Sequence, residues 1–380
     1  MSEKKIAIVC DWLTNVGGAE KVLLRIHELF PEAPIYTSKY DPKGIDWFSD
    51  ADVKTGWMQW FPTSFRRVLG PLRQWYFSHL DLSEYDLIIS VTGAEAKAVK
   101  SGKWLHENGK KNVKNPKGIH ISFCHVPTQY YWQMYDDYIK NPGFGILNPI
   151  VRFFFRLMVL PLKRADYKAA KRPDYFITIS EYAREQIRKY YKRESAVIHP
   201  PVEIDDFMIK ANSVSEYYIT TSRQVNWKRI DLAIEACIKM QRKLVVIGGG
   251  SEHNKLVKLA GGSELIEFLP IMKKEELAEY LAKAKGYLFP SLEPFGIAPV
   301  EALAAGCPVI AFGEGGSRDY IVDKKNGVFF EKQTVESLEE AILRFEKIKF
   351  NRKEVSKTAE KFDVKRFERE IKTYINEKVK

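Results

Sequence analysis

The stretch from residue 285 to residue 320 constrains the fold more than any other. A short apolar run, Gly286 to Phe289, stops at Pro290, as a buried strand and its end do. A loop follows with Glu293, Pro294, Phe295 and Gly296. The spacing predicts a helix next. Pro299 stands at or near its first position, where a missing N–H does no harm, and Gly306 ends it. Cys307 to Phe312 reads as the next strand. Strand, loop, helix and strand in that order form a unit of a parallel sheet.

The same alternation runs along the chain. Buried strands are expected at 5–10, 35–37, 87–90, 118–124, 175–179 and 196–198, then at 217–221, 243–247, 266–269, 286–289 and 309–311. Helical spacing marks 19–30, 181–191, 229–240 and 251–260, and the charged segment 353–380 reads as helical. The first strand, the loop Asp11 to Gly18 and the helix after it are the usual opening of a doubly wound domain. Pro200-Pro201 begins a linker, so one domain is expected over 1–203 and a second over 204–360. A chain of 380 residues has room for two such α/β domains.

Charge narrows the partners. Lys and Arg number 60 against 49 acids, a net charge of +11. Residues 1–203 hold 30 basic and 22 acidic residues and the rest 30 and 27, so the surplus sits mostly in the first half. Such an excess suits nucleic acid, an anionic membrane or a phosphorylated substrate. Cys10, Cys124, Cys237 and Cys307 lie scattered in apolar segments with no Cys-x-x-Cys spacing. Buried reduced thiols are expected, which favours a cytoplasmic chain. The apolar run Ile6 to Cys10 stops at Asp11, too short for a signal peptide. No stretch reaches the roughly 20 apolar residues that span a bilayer.

Two familiar motifs are excluded and one is discounted. Gly248-Gly249-Gly250 follows a strand, but His253 stands where the dinucleotide pattern needs a third Gly. No Gly-x4-Gly-Lys occurs, so nucleotide triphosphate hydrolysis finds no support. Asp50-Ala51-Asp52 lies in a loop among Trp47, Phe48 and Trp57, and no metal is expected there.

Glu293 and Glu301 flank the central loop with seven residues between them. Glu293 falls at a strand's carboxyl end and Glu301 is expected in the first turn of the helix. Backbone N–H groups around Gly296 to Ala298 favour an anion, and Gly296 leaves room for a ligand's approach. Two acceptors for hydroxyls and several donors for phosphate suit a sugar nucleotide. Singly, each glutamate is more commonly a solvated or dipole-complementing residue. The unbroken run Glu-Pro-Phe-Gly-Ile-Ala-Pro-Val-Glu-Ala-Leu-Ala-Ala-Gly-Cys-Pro-Val-Ile-Ala resembles the Glu-x7-Glu motif of a family of retaining glycosyltransferases. That family includes glycogen and sucrose synthases and many lipopolysaccharide and capsule transferases.

The resemblance implies the GT-B fold: two Rossmann-like doubly wound domains facing a central cleft. It also implies that a terminal helix, 361–380, crosses back to the first domain. In the second domain it implies that Glu301 takes the ribose hydroxyls, while Glu293, with the backbone of Gly296 and Ile297, takes the sugar. Arg223 and Lys228 would neutralise the leaving diphosphate; two cations five residues apart at a strand end can clamp one in any case. Gly248, Gly249 and Leu269 would line the nucleotide. In the first domain Gly17 and Gly18 would lie near the diphosphate and acceptor, and His125 would touch the sugar's 6-hydroxyl. A glycine pair or a lone histidine is otherwise commonly structural. Transfer is expected to retain configuration and to use neither metal nor cofactor.

The wording around Arg223 and of Cys-His-Val-Pro-Thr-Gln-Tyr-Tyr-Trp is most similar to the mannosyltransferase branch that builds O-antigens. GDP-mannose is therefore the expected donor and a UDP-hexose the alternative. A sugar-nucleotide epimerase and a non-enzymatic basic module, binding RNA or membrane, are the rival classes. Two segments bear on location. Residues 57–77 hold Trp57, Trp60, Phe61, Phe65, Trp75, Tyr76 and Phe77 with Arg66, Arg67 and Arg73. Residues 150–172 hold Phe153, Phe154, Phe155, Leu157, Met158 and Leu160 among seven cations and one acid, Asp166. Interleaved aromatics and cations suit an anionic lipid surface, although a core face backed by a solvated one reads the same. A peripheral position on the inner face of the cytoplasmic membrane is expected, with a lipid-linked or lipopolysaccharide-type glycan as acceptor and no nucleic acid.

Overall fold

The computed structural model describes residues 4–63, 69–140, 145, 148–208 and 214–379. The chain forms two units, Met1–His199 with Glu368–Lys380, and Pro200–Phe367. Each is a parallel sheet whose strands alternate with helices, the Rossmann-like arrangement.

The first unit's strands are β1 (Ile6–Cys10), β2 (Ile35–Thr37), β3 (Val53–Thr55), β4 (Leu87–Thr92), β5 (Ile119–Cys124), β6 (Tyr175–Thr178) and β7 (Ala196–Val197). Their spatial order is β3-β2-β1-β4-β5-β6-β7. The second unit has β8 (Tyr217–Thr221), β9 (Lys243–Ile247), β10 (Ile266–Leu269), β11 (Gly286–Phe289), β12 (Val309–Phe312) and β13 (Gly327–Phe330), ordered β10-β9-β8-β11-β12-β13. The central strands β4, β11 and β12 are buried at every position. Sheets covered on both faces read as unbroken apolar runs, which is why these strands are visible in sequence. The edge strand β3, Val-Lys-Thr and partly exposed, has no such run and carries no sequence signal.

One expectation fails. Residues 353–380 are not a continuous helix: a helix at Arg352–Lys357 and a short turn at Glu360–Phe362 precede the helix Val364–Lys378. The break buries Phe362 against the rings of Phe295 and Tyr320, at 5.6 and 6.2 Å. Its carbonyl accepts the Val202 N–H at 2.9 Å, a bond a continuing helix would forfeit. All four cysteines are buried and unpaired, and burial pushes each thiol up, Cys124, Cys237 and Cys307 to about 12. No described helix is long and apolar enough to cross a membrane. Among the described residues no cluster of three metal-ligating side chains occurs, and Asp52 sits 3.3 Å from Lys54 Nζ.

Below the carboxyl edge of the first sheet lie two buried ion pairs. Asp166, on the helix Asn148–Ala169, accepts from Lys97 Nζ at 2.6 Å, Thr128 Oγ1 at 2.9 Å, Trp132 Nε1 at 2.7 Å and Tyr191 Oη at 2.9 Å. Arg73 Nε donates to Glu95 at 2.9 Å, and the hydroxyls of Tyr130 and Tyr131 reach the same carboxylate. Burial works against the charge on Lys97 and Arg73, but the facing carboxylates more than offset it and raise both pKa values. These groups fix the loop after β4 and the segment after β5 to two helices, Asn148–Ala169 through Asp166 and Gly70–His79 through Arg73. A buried cation left without its partner is strongly destabilising. Asp166→Ala should therefore cost about 3–5 kcal/mol. Urea unfolding measures it, and a loss below about 1 kcal/mol would contradict the arrangement.

Candidate functional site

In an open parallel sheet, ligands bind where the strand order reverses, because the loops after the two neighbouring strands diverge there. In the second unit that point lies between β8 and β11. Arg223 and Lys228 follow β8, and Glu293 follows β11, so the topology brings these sequence-selected residues to one crevice. Lys228 ends a short turn, Asn226–Lys228, and its ammonium sits on the Trp227 ring, 4.6 Å from the centroid. It forms an ion pair with Glu293 Oε1. Ser291 Oγ donates to the same oxygen at 2.7 Å. Among the described residues Glu293 Oε2 has no donor, and the exposed side chain of Arg223 has no partner. Lys228, expected to meet the leaving diphosphate, is paired in this structure with the neighbouring carboxylate, and both side chains lie mostly shielded from water.

The loop after β11 is held by backbone. Gly316 N–H donates to Glu293 O at 2.8 Å. A Cβ on Gly315 would lie 2.5 Å from that same carbonyl, and one on Gly316 2.3 Å from Phe295 Cα. Gly296, at φ +92°, caps the helix Ile297–Ala304; a side chain there would strike Phe289 at 2.7 Å. Tyr320 Oη donates to Phe295 O at 2.9 Å. Glu301 is not in the first turn as expected but is the fifth residue of this helix, whose first turn holds no acid. Pro299 takes the third position, so Ile297 and Ala298 supply the amides near the helix start. Glu301 is 9% exposed, on the helix that Gly296 begins.

Gly248 and Gly249 begin the loop after β9, next to β8. Gly248 has φ +128°, and a Cβ there would meet Ser222 O at 2.2 Å; around Gly249 there is open space. Gln224, fully buried, clasps this loop: its N–H donates to Gly249 O at 2.8 Å and its amide to Gly248 O at 3.0 Å. Leu269, half-buried at the end of β10, accepts the Gly248 N–H at 3.0 Å. Sequence reasoning missed Ser291, Gln224 and the Gly315-Gly316 turn. Only the glycine doublet carried a signal.

In the first unit the strand order reverses between β1 and β4. Asp11, just past β1, accepts from Thr92 Oγ1 at 2.9 Å and from the amides of Gly93, Ala94 and Ala96 at 3.0, 3.1 and 2.7 Å. It thereby shapes the loop after β4, a role no short motif signals. His125 follows β5, and its N–H donates to Thr92 O at 2.9 Å. Its Nε2 is shielded and unpartnered among the described residues, and burial lowers the ring's pKa to about 4. Gly17 and Gly18 do not form a tight turn: Gly17 is extended, at φ −165°, and Gly18 is the first residue of the helix Gly18–Leu29.

Residues 202–362 match the family described as Glycosyl transferases group 1. No curated protein matches the chain. In fold it is similar to HepE from Anabaena, solved in complex with UDP, at 17% identity over 98% of this chain and 100% of that one, with a TM-score of 0.70. It is similar also to the lipopolysaccharide outer core galactosyltransferase WaaB (15%, 98% and 99%, TM-score 0.70). Sucrose-phosphate synthase from Thermosynechococcus elongatus stands alike at 16%, 99% and 99%, with a TM-score of 0.70. The chain is thus an α/β protein of two Rossmann-like domains with the GT-B fold. The match to the group 1 glycosyl transferases falls on its second domain.

Burial makes acid stability a test of the first unit. His120 is buried beside Ser90 Oγ at 2.7 Å, and desolvation, aided by Arg172 and Arg193, lowers its pKa to about 3. Both His120 and His125 stay neutral in the folded chain but charge in the unfolded one below its ordinary value of 6.5. Stability should therefore fall as pH drops from 6.5 to 5, by about 1.4 kcal/mol per pH unit for His120 and less for the partly exposed His125. Unfolding midpoints measured across that window should decline; a flat profile would contradict the assignment.

Proposed function

We propose that this protein transfers a hexose from a nucleoside diphosphate to a glycan or lipid-linked acceptor, with retention of configuration. The observation that carries this reading is the Lys228–Glu293 pair beside Arg223 at the second sheet's switch point, inside a segment that matches the group 1 glycosyl transferases. Glu301 takes the ribose hydroxyls. Glu293 Oε2 and the backbone at Gly296 and Ile297 take the sugar. Gly248, Gly249 and Leu269 border the nucleotide. Lys228, Arg223 and the amides of Ile297 and Ala298 meet the charge that builds on the leaving diphosphate. Its oxygen then accepts the acceptor hydroxyl's proton. On the first domain, neutral His125 offers Nε2 to a hydroxyl, and Gly17 and Gly18 line its ligand edge.

GDP-mannose is the donor that the motif wording favours. HepE, whose complexes hold UDP and UDP-glucose, favours a UDP-hexose as the second reading. We propose also that the first domain docks on an anionic lipid surface. Phe153, Leu157 and Leu160, each about 60% exposed, recur on one face of the helix Asn148–Ala169 with Arg156 and Arg164. The helix Gly70–His79, bearing exposed Trp75, packs against it, and Trp60 nearby in sequence is 89% exposed. Phe65, Arg66 and Arg67 lie outside the described residues. Charge complementarity commits this face to lipid, because the exposed apolar residues alternate with cations.

Glu301→Ala should weaken nucleotide binding by roughly 10- to 100-fold, the worth of hydrogen bonds to a charged group. Lys228→Ala should abolish turnover with the fold intact. Calorimetry and a glycosyl transfer assay measure both, and near-normal values in both variants would defeat the reading. Co-sedimentation should show binding to phosphatidylglycerol vesicles that weakens with salt and disappears on neutral vesicles. Equal binding to both would remove the docking surface.

A further inference from the structure

Glu293 carries two donors on one oxygen. Lys228 and Ser291 both reach Oε1, while Oε2 has no donor among the described residues. The two donors differ in what a ligand does to them. Lys228 is a cation on a long side chain, five residues after the exposed Arg223, which has no partner among the described residues, and a diphosphate bound at this loop would compete with Glu293 for it. Ser291 has no such alternative. It is 2% exposed, lies two residues from Glu293 and directly follows Pro290, whose ring fixes its own φ. The backbone of Glu293 is fixed from the other side by the Gly316 N–H at 2.8 Å.

We infer that Ser291 is a positioning residue: its hydroxyl keeps Oε1 in place once Lys228 has moved to the diphosphate, so that Oε2 stays aimed at a hydroxyl of the donor's hexose. The inference rests on the function proposed above and deepens it. The carboxylate is held by its backbone and by one neutral hydrogen bond, and the cation serves two partners in turn. Sugar recognition thereby becomes dependent on a residue that touches no ligand. Loss of Ser291 leaves diphosphate binding intact and blunts the contribution of the hexose.

The experiment is calorimetric titration of the full chain with GDP, GDP-mannose, UDP and UDP-glucose, for the wild type, Ser291→Ala and Ser291→Thr. For the base that the wild type binds, Ser291→Ala should keep the nucleoside diphosphate's affinity. It should lower the ratio of nucleotide-sugar to diphosphate affinity about 5-fold, the worth of one neutral hydrogen bond. Ser291→Thr, which restores the hydroxyl, should recover part of that ratio. An unchanged ratio in Ser291→Ala overturns the inference while leaving the function standing. Equal losses for diphosphate and nucleotide sugar overturn it too, since a residue that merely holds the loop acts on both. A wild type that binds none of the four overturns the proposed function and this inference together.

Discussion

Parallel pairing is the constraint on which everything else rests. Because all strands of each sheet run the same way, every strand ends at one edge, and the loops that follow are gathered there. In the second domain this sets Lys228, from the loop after β8, against Glu293, from the loop after β11, 65 residues away in sequence. In the first it sets Asp11, after β1, against the loop after β4. The two edges are built alike but differ in chemistry. One carries partly shielded opposite charges and glycine-bordered backbone; the other a buried carboxylate that shapes a loop, and a neutral histidine.

The fold was largely legible in the sequence because buried parallel strands are continuous apolar runs. β1, β4, β5, β8, β9 and β11 announce themselves in that way, and Pro290, Gly296 and Gly306 punctuate the central unit. β3 was not legible, since an exposed edge strand needs no apolar face. Nor was the break before Val364: charge and helical composition run straight through it, and only the burial of Phe362 against Phe295 and Tyr320 interrupts the helix. Tertiary packing overrode local propensity there.

The site was legible as a set of residue types, less so as geometry. Arg223, Lys228, Glu293 and Gly296 come to one sheet edge because the strand order puts them there. The depth of Glu301 in its helix was misjudged by two residues, because Pro299 stands third rather than first. Ser291, Gln224 and Asp11 escaped notice for a common reason. Each acts on another part of the protein, through a carboxylate oxygen, two carbonyls or three amides, and such roles leave no spacing to recognise.

Within the first domain the exposed aromatic helix is tied to the segment that follows His125. Asp166, on the buried side of that helix, holds Trp132 and Thr128, which follow His125 closely in the chain. The central claim concerns the second domain and is best tested by a crystal structure with GDP-mannose or UDP-glucose bound. The account requires the ribose at Glu301, the diphosphate on Lys228 and Arg223, and a hexose hydroxyl on Glu293 Oε2. A nucleotide bound away from the β8 and β11 loops, or a Glu293 buried under packed side chains, would contradict it.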